Sequence, residues 1–286
     1  MSERKKLQLS DTKLSYRLIE VPNSKTDGCC LMLHGAGVAG ELTYGPMLEY
    51  LTHWRWVLIP DLNGMGESFY HGPSEGPLTI ESLSGDIQSL LADLNWYEFD
   101  IIGYSLGGLV ALYLNAQLST GHRPSHKLAL MEPASLEREC VETLAEVRQR
   151  YRLASQTIRE TGDVELGIAH FMEGVSPNRR KHPVAEATTQ SRLAHRPLGF
   201  SYALDAVTDW VEKVSTNVSL RDDLLNAAGQ VYLLSGELSH ELLRQHYDVL
   251  AARSEGWQHT SLSGCDHSLP FQKPRQIAKH LESWFL

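Results

Sequence analysis

No stretch of this 286-residue chain approaches the ~18 consecutive apolar residues that a membrane span needs. Positive charge is in deficit. The 26 Lys and Arg residues stand against 35 Asp and Glu, giving a formal net charge of −9. A dedicated nucleic-acid binder wants a basic face, so that class is disfavoured. Cysteine is scarce. Cys29, Cys30, Cys140 and Cys265 form no C-x-x-C pair and show no Cys/His metal spacing. Free thiols in a reducing cytoplasm are the expectation. The N-terminus, Met-Ser-Glu-Arg-Lys-Lys-Leu-Gln-Leu-Ser, lacks the apolar core of a secretory signal, which points to the same compartment. There is no internal repeat and no low-complexity tract.

What is present is an alternation of short apolar runs with helical patterns. Residues 6–20 hold two alternating runs around Ser10-Asp11-Thr12, the pattern of a β-hairpin. Residues 29–33, 56–59, 99–102, 128–131 and 231–234 are compact apolar runs, and 258–262 is a weaker one. Each stops at Pro, Gly, Glu, Ser or, after residue 33, His-Gly, as strands buried on both faces of a parallel sheet do. Helical spacing appears at 79–94, 106–118, 239–253 and 274–285. Pro274 suits a first helical turn. Strands alternating with helices predict a mostly parallel α/β sheet of eight strands with helices on both faces. Residues 134–217 break the alternation. They carry only helical patterns, such as 137–160 and 164–171, punctuated by Pro177, Pro183 and Pro197. A helical cap inserted after the sixth strand is expected there, with residues 1–133 and 218–286 forming the core domain.

The chemistry gathers at strand ends, where open α/β sheets bind ligands. Gly103-Tyr104-Ser105-Leu106-Gly107 matches G-x-S-x-G between a predicted strand and a predicted helix. That is the setting of a nucleophile elbow. A helix-capping serine is the plainer alternative. Three further segments follow in order: His34-Gly35-Ala36-Gly37, Asp61-Leu62-Asn63-Gly64-Met65-Gly66-Glu67-Ser68, and Gly264-Cys265-Asp266-His267-Ser268-Leu269-Pro270.

Together these four segments make the chain resemble the α/β-hydrolase fold superfamily over nearly its whole length. The resemblance implies Ser105 as nucleophile, His267 as general base, and the backbone N–H groups of Ala36 and Leu106 as oxyanion hole. His34, Gly35, Gly103 and Gly107 would support these motifs, His34 structurally. Asp61 would organise its own loop. The family's usual acid position, in a G-x-x-D segment, is departed from: Gly236-Glu237-Leu238-Ser239 puts Ser239 there. Serine cannot supply the negative charge that stabilises an imidazolium. Glu132, at the end of the sixth strand, is the preferred substitute, because haloalkane dehalogenases often keep their acid at that strand end. Glu237 is the alternative. Each also has a plainer reading, as a carboxylate anchoring the cap and as an exposed loop residue.

Those dehalogenases use an aspartate nucleophile, whereas a serine would form a stable ether with an alkyl halide. Ser105 therefore points to acyl transfer. A small-molecule carboxylic ester is the default substrate. Thioesters, lactones and carbon–carbon bonds use the same constellation, and a non-catalytic ligand-binding relative is the competing class. No metal or organic cofactor is implied. Tyr104, Leu106, Met65, Phe69 and Leu269 flank the motifs and are candidates for an acyl pocket, with ordinary packing the competing reading. Cys265 is expected to be an inert thiol, and Arg179-Arg180-Lys181 a solvated charge run.

Overall fold

The computed structural model describes residues 3–70, 75–119 and 126–286; Met1 and Ser2 of the charged N-terminus lie outside them. The strands are β1 (Arg4–Gln8), β2 (Thr12–Glu20), β3 (Cys29–Leu33), β4 (Trp56–Pro60), β5 (Phe69–Tyr70), β6 (Asp100–Tyr104), β7 (Lys127–Met131), β8 (Gln230–Gly236) and β9 (Trp257–Leu262). Their order is β1-β2-β4-β3-β6-β7-β8-β9, with the two-residue β5 added beside β2. β1, β2 and β5 pair antiparallel. The pairings from β4 through β9 are parallel.

The helices are α1 (Gly40–Leu48), α2 (Ile80–Asp93), α3 (Leu106–Ser119), α4 (Val141–Gln156), α5 (Val164–Val175), α6 (Pro183–Leu193), α7 (Pro197–Thr216), α8 (Ser219–Ala227), α9 (Glu241–Arg253), α10 (Leu269–Gln272) and α11 (Pro274–Phe285). α2 starts at a reciprocal cap, in which Thr79 and Ser82 side chains each accept from the other's backbone N–H. α1 has no counterpart in the sequence patterns, because Gly45 and Pro46 interrupt its periodicity.

Alternate strand residues divide between two cores. Leu31, Leu33, Ile101, Leu128, Leu130, Val231 and Leu233 meet α2, α3 and α9 on one face. Cys30, Met32, Ile102, Ala129, Met131, Tyr232 and Leu234 meet α1 and α11 on the other. Successive side chains of a strand point to opposite faces. Both faces are covered here, so the runs read as continuously apolar. All four cysteines are free, with Cys30 and Cys265 buried.

Between β7 and β8 the chain passes through α4, a π-helical turn (Thr157–Thr161) and α5 to α8. The expected single helix over 137–160 starts later, at Val141, and ends in that π turn before Gly162 at φ 73°. α4 packs on α5 and α7 around a third core containing Tyr151, Ile158, Phe171 and Phe200. α8 packs on α3. Arg196, the cap residue of α7, reaches Glu75 (2.5 Å) and the carbonyl oxygens of Gly66 and Ser68. This ties the helical segment to the loop after β4. Beside it, a Cβ on Gly199 would overlap the Gly64 carbonyl oxygen.

Two glycine substitutions should therefore act in opposite directions. Gly199→Ala must push α7 off the loop, and overpacking of this kind costs about 1–3 kcal/mol. Gly85 lies exposed within α2 with nothing near a would-be Cβ. Gly85→Ala should raise stability by about 0.5–1 kcal/mol through helix propensity. Thermal denaturation monitored by circular dichroism checks both, and a Gly199→Ala midpoint at or above wild type would contradict the packing described.

Candidate active site

The six parallel strands, β3, β4 and β6 to β9, deliver their carboxyl ends to one side of the sheet. Ser105 follows β6 and opens α3 at φ 52°. An L-residue in that region is strained and must be held by its surroundings. Its N–H donates to the Met131 carbonyl (3.0 Å), and its carbonyl accepts from Gly108 and Ala134 (2.9 Å each). The turn also needs room behind it. A Cβ on Gly103 would stand 2.7 Å from Gly107 O, and one on Gly107 would collide with the Leu33 and His34 carbonyls. Glycine at both positions lets α3 start directly against β3 and β6.

His267, in the loop after β9, lies 3.1 Å from Ser105 Oγ through Nε2 and 2.8 Å from Glu132 Oε2 through Nδ1. A carboxylate only accepts, so Nδ1 carries the proton and Nε2 is left to accept from the serine hydroxyl. The Tyr104 hydroxyl donates to the His267 carbonyl (2.9 Å), fixing the loop. Glu132 has a fully buried side chain. Its other oxygen, Oε1, accepts from the Gly236 N–H (2.7 Å) and the Ser239 hydroxyl (2.5 Å). Its backbone sits at φ 44°, pinned by its N–H to the Leu234 carbonyl (3.0 Å). Ser239 thus stands where an aspartate was expected and reaches the same imidazole through Glu132.

Glu237 is elsewhere. It is exposed and accepts from Ser263 Oγ (2.9 Å) and Gly264 N–H (2.8 Å), with Gly264 the larger cause of its lowered pKa. It has no hydrogen bond to His267 and acts as a brace for the β9 turn.

Ala36 N–H and Leu106 N–H have no acceptor among the described residues. Ala36 borders the same cavity as Ser105 and His267. The loop that carries it is fixed by His34. The buried imidazole accepts from Leu62 N–H at Nε2 (2.9 Å) and donates from Nδ1 to the Gly35 carbonyl (2.7 Å). Burial lowers its pKa and keeps it neutral. Asp61 accepts from Gly40 N–H, Glu67 N–H and Arg4 (2.9–3.0 Å), so it does organise its own loop.

The cavity over Ser105 is narrow, about 30 Å³, and opens to solvent. Val38, Phe171, Met172, Leu193 and Phe271 give it an apolar wall, with Arg192 and Thr189 among them. Of the flanking residues considered from sequence, Tyr104 lines it. Met65, Leu106 and Leu269 have their side chains in the cores, and Phe69 lies under the Arg196 guanidinium. Phe171, Arg192 and Phe271 were not legible as lining because their helix faces are set by packing. Burial pushes the Cys265 thiol up to about 11, which keeps it inert. Arg180 and Lys181 are exposed, as a solvated charge run requires, whereas the Arg179 side chain is buried and pairs with Glu173 and Glu186.

A family model described as the alpha/beta hydrolase family matches residues 30–280. The chain belongs to the alpha/beta hydrolase family. It is 25% identical over 283 residues to monoacylglycerol lipase abhd6-B of Xenopus laevis, covering 93% of this chain and 77% of that protein. Among solved structures it resembles the enol-lactonase from Burkholderia xenovorans LB400 (TM-score 0.69, 21% identity, 98% and 99% of the two chains). It also resembles a haloalkane dehalogenase DbeA-M1 loop variant from Bradyrhizobium elkanii (TM-score 0.72, 15% identity, 99% and 96%). These likenesses show the fold. Membership of the family makes the chain a hydrolase of small-molecule substrates. No helix among the described residues is long and apolar enough to cross a membrane.

The neutral His34 has a consequence for stability. Its folded pKa lies below the ordinary 6.5, so the unfolded chain binds the extra proton first. Stability from this group is present above pH 6.5 and is lost as pH falls below it, by at most about 1.4 kcal/mol per pH unit. His34→Gln should destabilise the protein at pH 7.5 yet flatten its loss of stability between pH 7.5 and 5.5. Denaturant unfolding at the two pH values measures the slope, and an unchanged slope would refute the assignment.

Proposed function

We propose that this chain is a serine hydrolase that cleaves carboxylic esters through an acyl-enzyme. One observation carries the reading: Ser105, His267 and Glu132 stand in an unbroken hydrogen-bonded line beside two unpaired backbone N–H groups. Ser105 Oγ attacks the carbonyl while His267 Nε2 takes its proton. The imidazolium so formed is stabilised by Glu132 across the 2.8 Å contact. The Ala36 and Leu106 N–H groups receive the oxyanion, each such donor being worth about 3 kcal/mol in the transition state. His267 returns the proton to the leaving alcohol, and water releases the acyl group by the same steps.

Residues 134–217 act as a lid, supplying Phe171, Met172, Arg192 and Leu193 to the cavity wall. The lipase name of the Xenopus laevis relative and the lactonase name of a structural neighbour agree with acyl chemistry. A lactone or thioester would meet the same groups. The non-catalytic reading drew on the missing aspartate at 239. Ser239 instead donates to Glu132, which supports the catalytic one.

Fluorophosphonate should label the wild-type chain and not Ser105→Ala; equal labelling of both would end the serine-hydrolase reading. On 4-nitrophenyl esters, Glu132→Gln should lower kcat by up to ~10⁴-fold, as removal of the acid's charge does in the serine-protease case. Glu237→Gln should leave kcat within about twofold, since exposed substitutions away from the site are near neutral. The opposite ranking would move the acid to Glu237.

A further inference from the structure

Arg192 projects from the last turn of α6 into the wall of the Ser105 cavity, among apolar side chains. Its guanidinium lies 4.5 Å from the Phe271 ring centroid. Phe271 meets Tyr104 edge-on at 6.1 Å, and Tyr104 tilts against His267 at 5.2 Å. One row of rings thus links the cation to the imidazole beside Ser105.

The other inward arginines of this helical segment have acceptors. Arg148 pairs with Glu137, Arg159 with Asp205 (2.6 Å), and Arg196 with Glu75 (2.5 Å). Among the described residues no carboxylate pairs with Arg192 and none accepts a hydrogen bond from it. The nearest candidates are engaged. Arg192 also borders an adjoining cavity of about 200 Å³ that Glu186 and Asp266 line. Glu186 holds Arg179 (3.0 Å), and Asp266 accepts from Ser268 N–H (2.8 Å) and the Gln272 amide (3.1 Å). Burial lowers the Arg192 pKa while the Tyr104 phenol opposes this. A guanidinium remains charged all the same. The side chain is half-buried in an otherwise apolar wall and meets a ring face there, which leaves planar donors suited to bidentate contact with a carboxylate.

We propose that Arg192 binds a carboxylate of the substrate, so that the site takes esters carrying a second, anionic group a few bonds from the scissile carbonyl. This rests on the ester-hydrolase reading. Arg192 is a specificity residue here, and the apolar wall of Phe171, Met172 and Leu193 would hold the methylenes between the two ends.

Monoethyl glutarate and ethyl hexanoate are matched probes, differing in a terminal carboxylate against an ethyl group. Two arms test the proposal, each with Arg192→Gln and with Arg192→Met, which keeps a stem to pack on Phe271. In the first, the Ser105→Ala protein is titrated calorimetrically with each probe. Monoethyl glutarate should bind about tenfold more weakly once Arg192 is replaced, the usual scale of a charge-assisted hydrogen bond. Unchanged glutarate affinity, or an equal loss for ethyl hexanoate, overturns the proposal. In the second, hydrolysis is followed by pH-stat. The glutarate-to-hexanoate ratio of kcat/KM should be about ten or more in wild type and collapse toward one in both variants. A ratio near one in wild type, or one that survives the substitutions, overturns it. The binding arm needs no turnover. Loss of ester hydrolysis alone would therefore sink the proposed function, whereas failure of anion binding would sink this inference alone.

Discussion

A carboxylate cut off from water must be surrounded by donors, and Glu132 is where this structure meets that demand. Three groups converge on it: the imidazole N–H of His267, the backbone N–H of Gly236 and the hydroxyl of Ser239. They come from the end of β8, the loop after it and the loop after β9, while Glu132 directly follows β7. A hydrogen bond to a charged group is worth about 1.5–3 kcal/mol, so the three strand ends stabilise one another through a single side chain. The same contacts orient His267 toward Ser105. Stability and candidate chemistry therefore share one hydrogen-bond set.

The strain at Ser105 and Glu132 is the counterpart of that convergence. Both residues adopt positive φ at neighbouring strand ends, and each is pinned to the next strand by its backbone N–H. The pins run from Ser105 to Met131 and from Glu132 to Leu234. Parallel register brings these ends level, with Tyr104 opposite Met131 and Met131 opposite Leu234. The sheet's interior, with its two apolar cores, supplies the rigidity that the strained turns require.

Much of this was legible in the sequence. The strands stand out because each apolar run stops at a residue that ends it, and Ser105 and His267 stand out because their motifs fall at such stops. Sequence reasoning preferred Glu132 to Glu237 only through the resemblance, since neither motif shows where the carboxylate points. Both follow a strand, and only the β7–β8 register decides which carboxylate meets the imidazole. α1 was hidden by Gly45 and Pro46. Arg192 was hidden for another reason: a helix in a polar segment gives no sign of which arginine turns inward until its neighbours are packed.

The position of the helical segment within the chain carries a consequence of its own. It leaves the sheet just after Glu132-Pro133, where Ala134 donates to the Ser105 carbonyl, and it returns through α8 against α3. Both departure and return are moored to the elbow's own scaffold. Between them the Arg196 tie to the loop after β4 constrains the span, so α5 and α6 are the parts whose length and shape bear least on the strand ends.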